Sequence, residues 1–379
     1  MNTRLFSSYL MLGVLVLLAG KAATVEPQKT IFRWPAVAGI TYPAEPETLL
    51  ANVQQLIAAA EVPEVPARLR AVLASPASYK LAGPVSAHAF KSLKPGQYER
   101  VIIIAPSHGA SFENCSIPAV DAFITPLGPV ALDEEAVRYI LYKPIFQAHQ
   151  VNYEGGRHLA RVHEFEFAVE ALLPYLQERL QEFKLVPILV GDLRDPEGKV
   201  RESAIAGIAD IIKSIVNART LVVVSSNFTA YGAEYDHVPF TDNVDENIAR
   251  LDRIAFEHLL KLDIKGFRSY LEETKNQIDG KECIQILMKL LPPQAQARIL
   301  AYETSATLTG DTHSSVSYAA FTFHDPTRPP LSAQPDKARP LVLRRPEKIV
   351  APPDNTLQPN DSENKSEPVA PKPAEPEME

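Results

Sequence analysis

Three short apolar runs punctuate the chain, and each stops where turn-forming or small residues begin. They are Val101-Ile102-Ile103-Ile104-Ala105, Leu185-Val186-Pro187-Ile188-Leu189-Val190 and Leu221-Val222-Val223-Val224. Branched side chains, short length and a closing Pro, Gly or Ser predict buried strands. Between them the apolar spacing becomes helical. From Glu164 to Leu180, Phe165, Ala168, Val169, Leu172, Leu173 and Leu180 recur among charges, and Pro174 predicts a kink or a new first turn. Val200 to Ile215 and Asn247 to Leu262 read as further amphipathic helices. This alternation predicts an α/β fold, a central sheet with helices on both faces. Ligands of open α/β sheets bind beyond the carboxyl ends of strands. The loops Pro106-Ser107-His108-Gly109, Gly191-Asp192-Leu193 and Ser225-Ser226-Asn227-Phe228 are therefore expected at one cleft.

Length and composition leave room for one large core or two smaller ones, with 379 residues and 46% hydrophobic side chains. The net charge of -8 carries no basic footprint, so a nucleic-acid partner is not expected. Tyr9 to Ala19 is an apolar run too short to span a bilayer, followed by small residues around Ala22. Residues 1–22 thus read as a signal peptide for export to the periplasm or cell envelope. The alternatives are an uncleaved membrane anchor and a buried N-terminal helix. Leu18-Ala19-Gly20-Lys21 is like a bacterial lipobox with lysine at the cysteine position, so no lipid is expected there. Residues 23–31 read as a linker and 32–325 as the α/β domain. Residues 326–379, rich in Pro and Glu, read as a disordered tail because they offer little apolar surface to offset chain entropy. Cys115 and Cys283 are either two small semi-buried thiols or, in an oxidising compartment, a pair.

Familiar catalytic motifs are absent: no P-loop, no G-x-G-x-x-G, no H-E-x-x-H and no C-x-x-C. Ser107, Ser225 and Ser226 lack a nucleophile elbow and an evident paired base. His108 reads either as a ligand or general base, or as a histidine bracing its loop. His163, Glu166 and Glu170 are spaced to share one helix face, which fits a metal site or an acidic helix start near the positive dipole end. His88 and His313 read as surface or packing residues.

The same loops resemble the MEMO family, the AmmeMemoRadiSam system protein B group, piece by piece and in order. Ala38-Gly39-Ile40-Thr41-Tyr42-Pro43 is similar to its opening segment, and Ala105-Pro106-Ser107-His108-Gly109 to its G-P-S-H-H. Thr125-Pro126-Leu127-Gly128, Glu170 to Tyr175, Val186 to Gly191, Ser225 to Gly232 and Ser314-Ser315-Val316-Ser317-Tyr318-Ala319 complete the set. The resemblance implies a fold like that of LigB-type class III extradiol dioxygenases. It also implies a redox-metal site of two histidines and a cysteine, and an association of bacterial members with radical-SAM and AMMECR-like proteins.

At the positions the resemblance assigns to those ligands this chain carries Pro76, Gly109 and Asp279. Phe167, Asn227 and Ala230 replace polar neighbours of the family pattern. Two expectations follow. One is a non-catalytic role in binding a small molecule or protein, without a cofactor. The other is an enzyme with a rewired cleft, metal-free or holding a divalent or redox metal through Asp279, Glu170 and His108. The residues expected to line the cleft are Ser107, His108, Glu170, Ser225, Ser226, Asn227, Asp279 and Ser315.

Overall fold

A computed structural model describes residues 30–153 and 158–334. The predicted signal peptide, most of the linker and most of the tail lie outside them. The main sheet contains β1 (Arg68–Ala74), β2 (Arg100–Pro106), β3 (Cys115–Ser116), β4 (Phe146–Gln147), β5 (Lys184–Val190), β6 (Thr220–Ser225), β7 (Ala230–Tyr231), β8 (Gln296–Thr304) and β9 (Ser315–Asp325). Its order is β7-β9-β1-β6-β2-β5-β3-β4, with β8 paired to β9. The four central strands, β1, β6, β2 and β5, are mutually parallel. They are almost wholly buried, as parallel strands covered on both faces must be.

The helices are α1 (Pro46–Ala59), α2 (Gly83–Phe90), α3 (Glu134–Leu141), α4 (Leu173–Leu180), α5 (Glu202–Ile215), α6 (Val244–Lys261), α7 (Ile264–Thr274), α8 (Lys281–Leu290) and α9 (Ser305–Thr309). The chain passes from β1 through α2 to β2 in one direction across the sheet, and from β5 through α5 to β6 in the other. Right-handed crossovers then place α2 and α5 on opposite faces. The packing agrees. α1, α2 and α4 pack together, with α2 against β1, β8 and β9, while α5 packs on α8 and α8 on β2 and β6.

The three predicted strands match β2, β5 and β6, and two predicted helices match α5 and α6. The predicted helix over 164–180 is corrected. Only Leu173–Leu180 is α-helical, preceded by 3-10 turns at Val162–Glu164 and Glu170–Leu172. Glu166 explains the break, because its carboxylate accepts the Ala168 N–H at 2.9 Å and the His108 N–H at 2.6 Å, so the segment turns around it. Pro174 sits in the first turn of α4, where its missing N–H costs nothing. Residues 326–334 run back along the domain: Arg328 O accepts the Arg68 N–H at 2.9 Å and Leu331 O accepts Gln97 Nε2 at 2.9 Å. Cys115 and Cys283 are free thiols, both fully buried. Among the described residues no helix is long and apolar enough to cross a membrane.

Candidate functional site

Parallel pairing in register sets Ala74 opposite Ser225 and Val190 opposite Pro106, so the loops leaving β1, β6, β2 and β5 emerge at one edge. A cleft of about 510 Å³ opens there between the ends of β2 and β5 and the start of α8, lined by Ser107, His108, Gly109, Asp192, Arg194 and Asp279 among others. Gly191 lets two loops meet at its floor: a Cβ on it would sit 2.1 Å from Phe112 O.

His108 is the centre of the site. Its Nδ1 is 3.0 Å from Glu166 Oε1 and its Nε2 is 3.3 Å from Asp279 Oδ2. The ring stacks on Phe167 with centroids 4.6 Å apart, and its side chain is 28% exposed. Burial disfavours the charged ring, but the hydrogen bonds to Asp279 and Glu166 and their negative charges outweigh it, and its pKa is pushed up to about 10. Burial alone would raise the Glu166 carboxyl. The His108 ring, its charge and the backbone N–H groups of His108 and Ala168 hold it below the usual glutamate range instead. At neutral pH the unit is therefore an imidazolium donating both N–H groups to carboxylates, with a π face beneath it. A ring in that state has no lone pair with which to take a proton or bind a metal.

Asp279 is held from all sides. Its Oδ1 lies 2.8 Å from Asn227 N and 3.1 Å from Ser226 Oγ, and its Oδ2 lies 2.9 Å from Asn227 Nδ2. Gly280, next in sequence, presses on Ser226, where a Cβ would come within 2.5 Å of the serine Cβ. Ser107 reaches the cleft and donates to Ala110 O at 2.9 Å. Gly109 packs under Phe165, whose ring would be 2.7 Å from any Cβ placed there. Pro76, just past β1, is buried and brings no side-chain donor.

Of the residues expected to line the cleft, Ser226 is fully buried against Asp279, and three others lie elsewhere. Glu170 is fully buried and pairs with Arg33, accepts from the Tyr42 hydroxyl, and accepts the N–H groups of Ala36 and Val37 at 2.8 and 3.1 Å. Its carboxylate fixes the N-terminal segment and is not available as a ligand. Ser225 is buried with its hydroxyl on Ala168 O at 2.8 Å, and Ser315 is buried accepting the Ala306 N–H at 3.3 Å. His163, Glu166 and Glu170 do not share a helix face, because the helix is absent. His163 stands edge-on to Phe123, and burial pushes its pKa down to about 3, so it stays neutral. His313 is exposed, and His88 bonds Pro84 O one turn back on α2. Sequence spacing missed Glu166 as the partner of His108, since the two are joined only by the fold. Among the described residues no group of three or more His, Cys, Asp or Glu side chains is arranged to hold a metal ion.

The family model described as Memo-like protein matches residues 33–322. Protein MEMO1 of Xenopus laevis is 27% identical over 309 residues, covering 77% of this chain and 97% of that one. Protein MEMO1 of Homo sapiens is 27% identical over 305 residues with the same coverage. The memo-1 homolog of Caenorhabditis elegans is 27% identical over 270 residues, covering 66% of this chain and 71% of the other. A crystal structure of the uncharacterized protein JW3007 from Escherichia coli K12 superposes with a TM-score of 0.37 at 11% identity, covering 67% of this chain and 99% of that one. The match to the family model includes every strand of the main sheet, except the last three residues of β9, and every loop of the cleft, and the chain belongs to the Memo-like protein family.

Proposed function

We propose that this chain is an exported Memo-like protein whose cleft binds a small polar molecule in place of metal-dependent chemistry. The observation that carries the reading is the closed hydrogen-bonding of His108 and Asp279. Both ring nitrogens and both carboxylate oxygens are already engaged within the protein. A soft or redox-active metal asks for neutral imidazole and thiolate donors in fixed geometry. At the assigned positions stand a proline, a glycine covered by a phenylalanine ring, and a carboxylate bound to an imidazolium. These residues do not fit the family's metal.

The substitutions support one another physically. An aspartate at position 227 would face Asp279 across about the 2.9 Å that the Asn227 amide now spans, and two unscreened carboxylates repel strongly at that range. Asparagine supplies a donor instead. Phenylalanine at 167 supplies an apolar face for the charged ring where a second histidine would add like charge. This supports a cleft rebuilt around a protonated histidine. The same engagement argues against a rewired enzyme, whose general base or ligand set would have to be His108, Asp279 and Glu170. Around the clamp the lining holds Asp192 together with Arg194 and Lys281, which suits a polar ligand carrying both signs of charge. Export rests on the apolar run before Ala22, outside the described residues.

A thermal-shift screen of small polar and zwitterionic metabolites tests this directly. Hits are expected to raise the melting temperature of the wild type, and an Arg194→Gln variant, altered at a cationic residue of the cleft lining, should bind them about tenfold more weakly, the loss of one charge-assisted contact. Stabilisation only by added iron or copper, with no organic hit, would sink the reading.

A further inference from the structure

A second, larger cavity lies at the other edge of the sheet. It has a volume of about 700 Å³ and is bounded by the first residues of β1, the last residue of β9, the segment between α5 and β6, and the C-terminal end of α8. Because β9 runs antiparallel to β1, Asp325 stands opposite Arg68, at the end remote from the cleft. Four cationic side chains line the cavity, Arg68, Arg70, Lys213 and Arg328, against one carboxylate, Asp325.

One oxygen of that carboxylate is already engaged. Its Oδ1 accepts from the Thr327 N–H at 3.0 Å, the Thr327 hydroxyl at 2.6 Å and Gln294 Nε2 at 3.2 Å. Arg68 donates through Nε to Pro329 O at 3.3 Å, a neutral partner. Arg70 acts on Asp325 through its charge without hydrogen-bonding it. Neither Arg70, Lys213 nor Arg328 has a side-chain hydrogen bond or ion pair to a described residue. The ends of α5 and α8 bring partial negative charge of about half an electron each, and with the full charge of Asp325 they offset about two of the four positive charges, leaving a net excess of about two. Excess like charge around a concavity favours an anion there, and arginine and lysine make charge-assisted bonds to carboxylate and phosphate. Part of the wall is apolar, with Val222 from the sheet and Leu287, Leu290 and Leu291 from α8 and its end.

We propose that this cavity is a binding site for an organic anion with an apolar body, its charged head held by Arg70 and Lys213 and its body laid on the leucines of α8. The site is independent of the cleft and of the function proposed for it. The test uses the full chain and two fluorescent probes of nearly the same shape, anilinonaphthalene sulfonate and its uncharged analogue phenylnaphthylamine. The sulfonate is expected to bind saturably and to be displaced by decanoate, with the neutral probe bound at least about tenfold more weakly. Arg70→Gln and Lys213→Gln should each weaken the sulfonate about tenfold. Arg70→Lys should restore part of the loss. Lys213 is exposed, so its variant keeps the fold, and an unchanged melting temperature checks this for both. Equal binding of the two probes overturns the proposal. So does sulfonate binding that neither glutamine variant changes, or no saturable binding at all.

Discussion

Replacing Arg33 with alanine is expected to destabilise the protein by about 3–5 kcal/mol, the cost of leaving a buried charge without its partner. Arg33 is 1% exposed and Glu170 is 0% exposed, and they pair directly. The guanidinium also donates through Nε to His163 O at 2.8 Å, through Nη2 to Glu166 O at 2.6 Å and through Nη1 to Trp34 O at 2.8 Å, and lies 5.2 Å from the centre of the Phe123 ring. Deleting it would strand the Glu170 carboxylate and three carbonyls together. Because two of those carbonyls belong to the segment that carries Glu166, the loss should also loosen the cleft. Glu170→Ala should cost a similar amount, and an Arg33→Met, Glu170→Leu double variant much less than the two single losses added. Urea unfolding of the four proteins is the measurement. A cost below about 1 kcal/mol for Arg33→Ala would place the pair among exposed, weakly contributing ion pairs and contradict the burial.

Asp279→Asn is expected to lower the His108 pKa by about one to three pH units, the effect of removing one adjoining negative charge. Ring-nitrogen NMR of the wild type should find His108 doubly protonated at pH 7 and losing its proton only near pH 10. The folded value stands above the ordinary 6.5 of histidine. The stability that His108 contributes is therefore present in full below about pH 6.5 and is lost as pH rises toward 10. Glu166 is held below its ordinary 4.5, so its contribution is present above that value and is lost as pH falls below it. The clamp is strongest between about pH 4.5 and 6.5. A neutral His108 ring at pH 7 in the wild type would remove the imidazolium from the account.

The sheet was legible in the sequence because β2, β5 and β6 are buried along nearly their whole length, and full burial leaves an unbroken apolar run. Their shared carboxyl edge followed from topology, and His108, Ser226, Asn227 and Asp279 do meet there. The segment before α4 was illegible. Ala168, Val169 and Leu172 are buried in turns, and burial in a turn gives the same apolar spacing as one face of a helix. Glu170, Ser225 and Ser315 sit beside cleft loops in sequence but aim inward to satisfy backbone groups, for Glu170 and Ser225 a choice fixed by partners far along the chain. Glu166 was hidden for the same reason, lying 58 residues from the histidine it holds. The cationic cavity draws on residues far apart in sequence, Arg68 and Arg328, and on helix ends between them, with no local motif to mark it.

Metal content after loading tests the central claim most directly. The protein would be purified without chelators, loaded anaerobically with iron and with copper, desalted and analysed for bound elements beside Asp279→Ala. The account predicts far less than stoichiometric metal in the wild type and no difference between the two proteins. Near-stoichiometric iron or copper that Asp279→Ala loses would contradict it and return the cleft to metal chemistry.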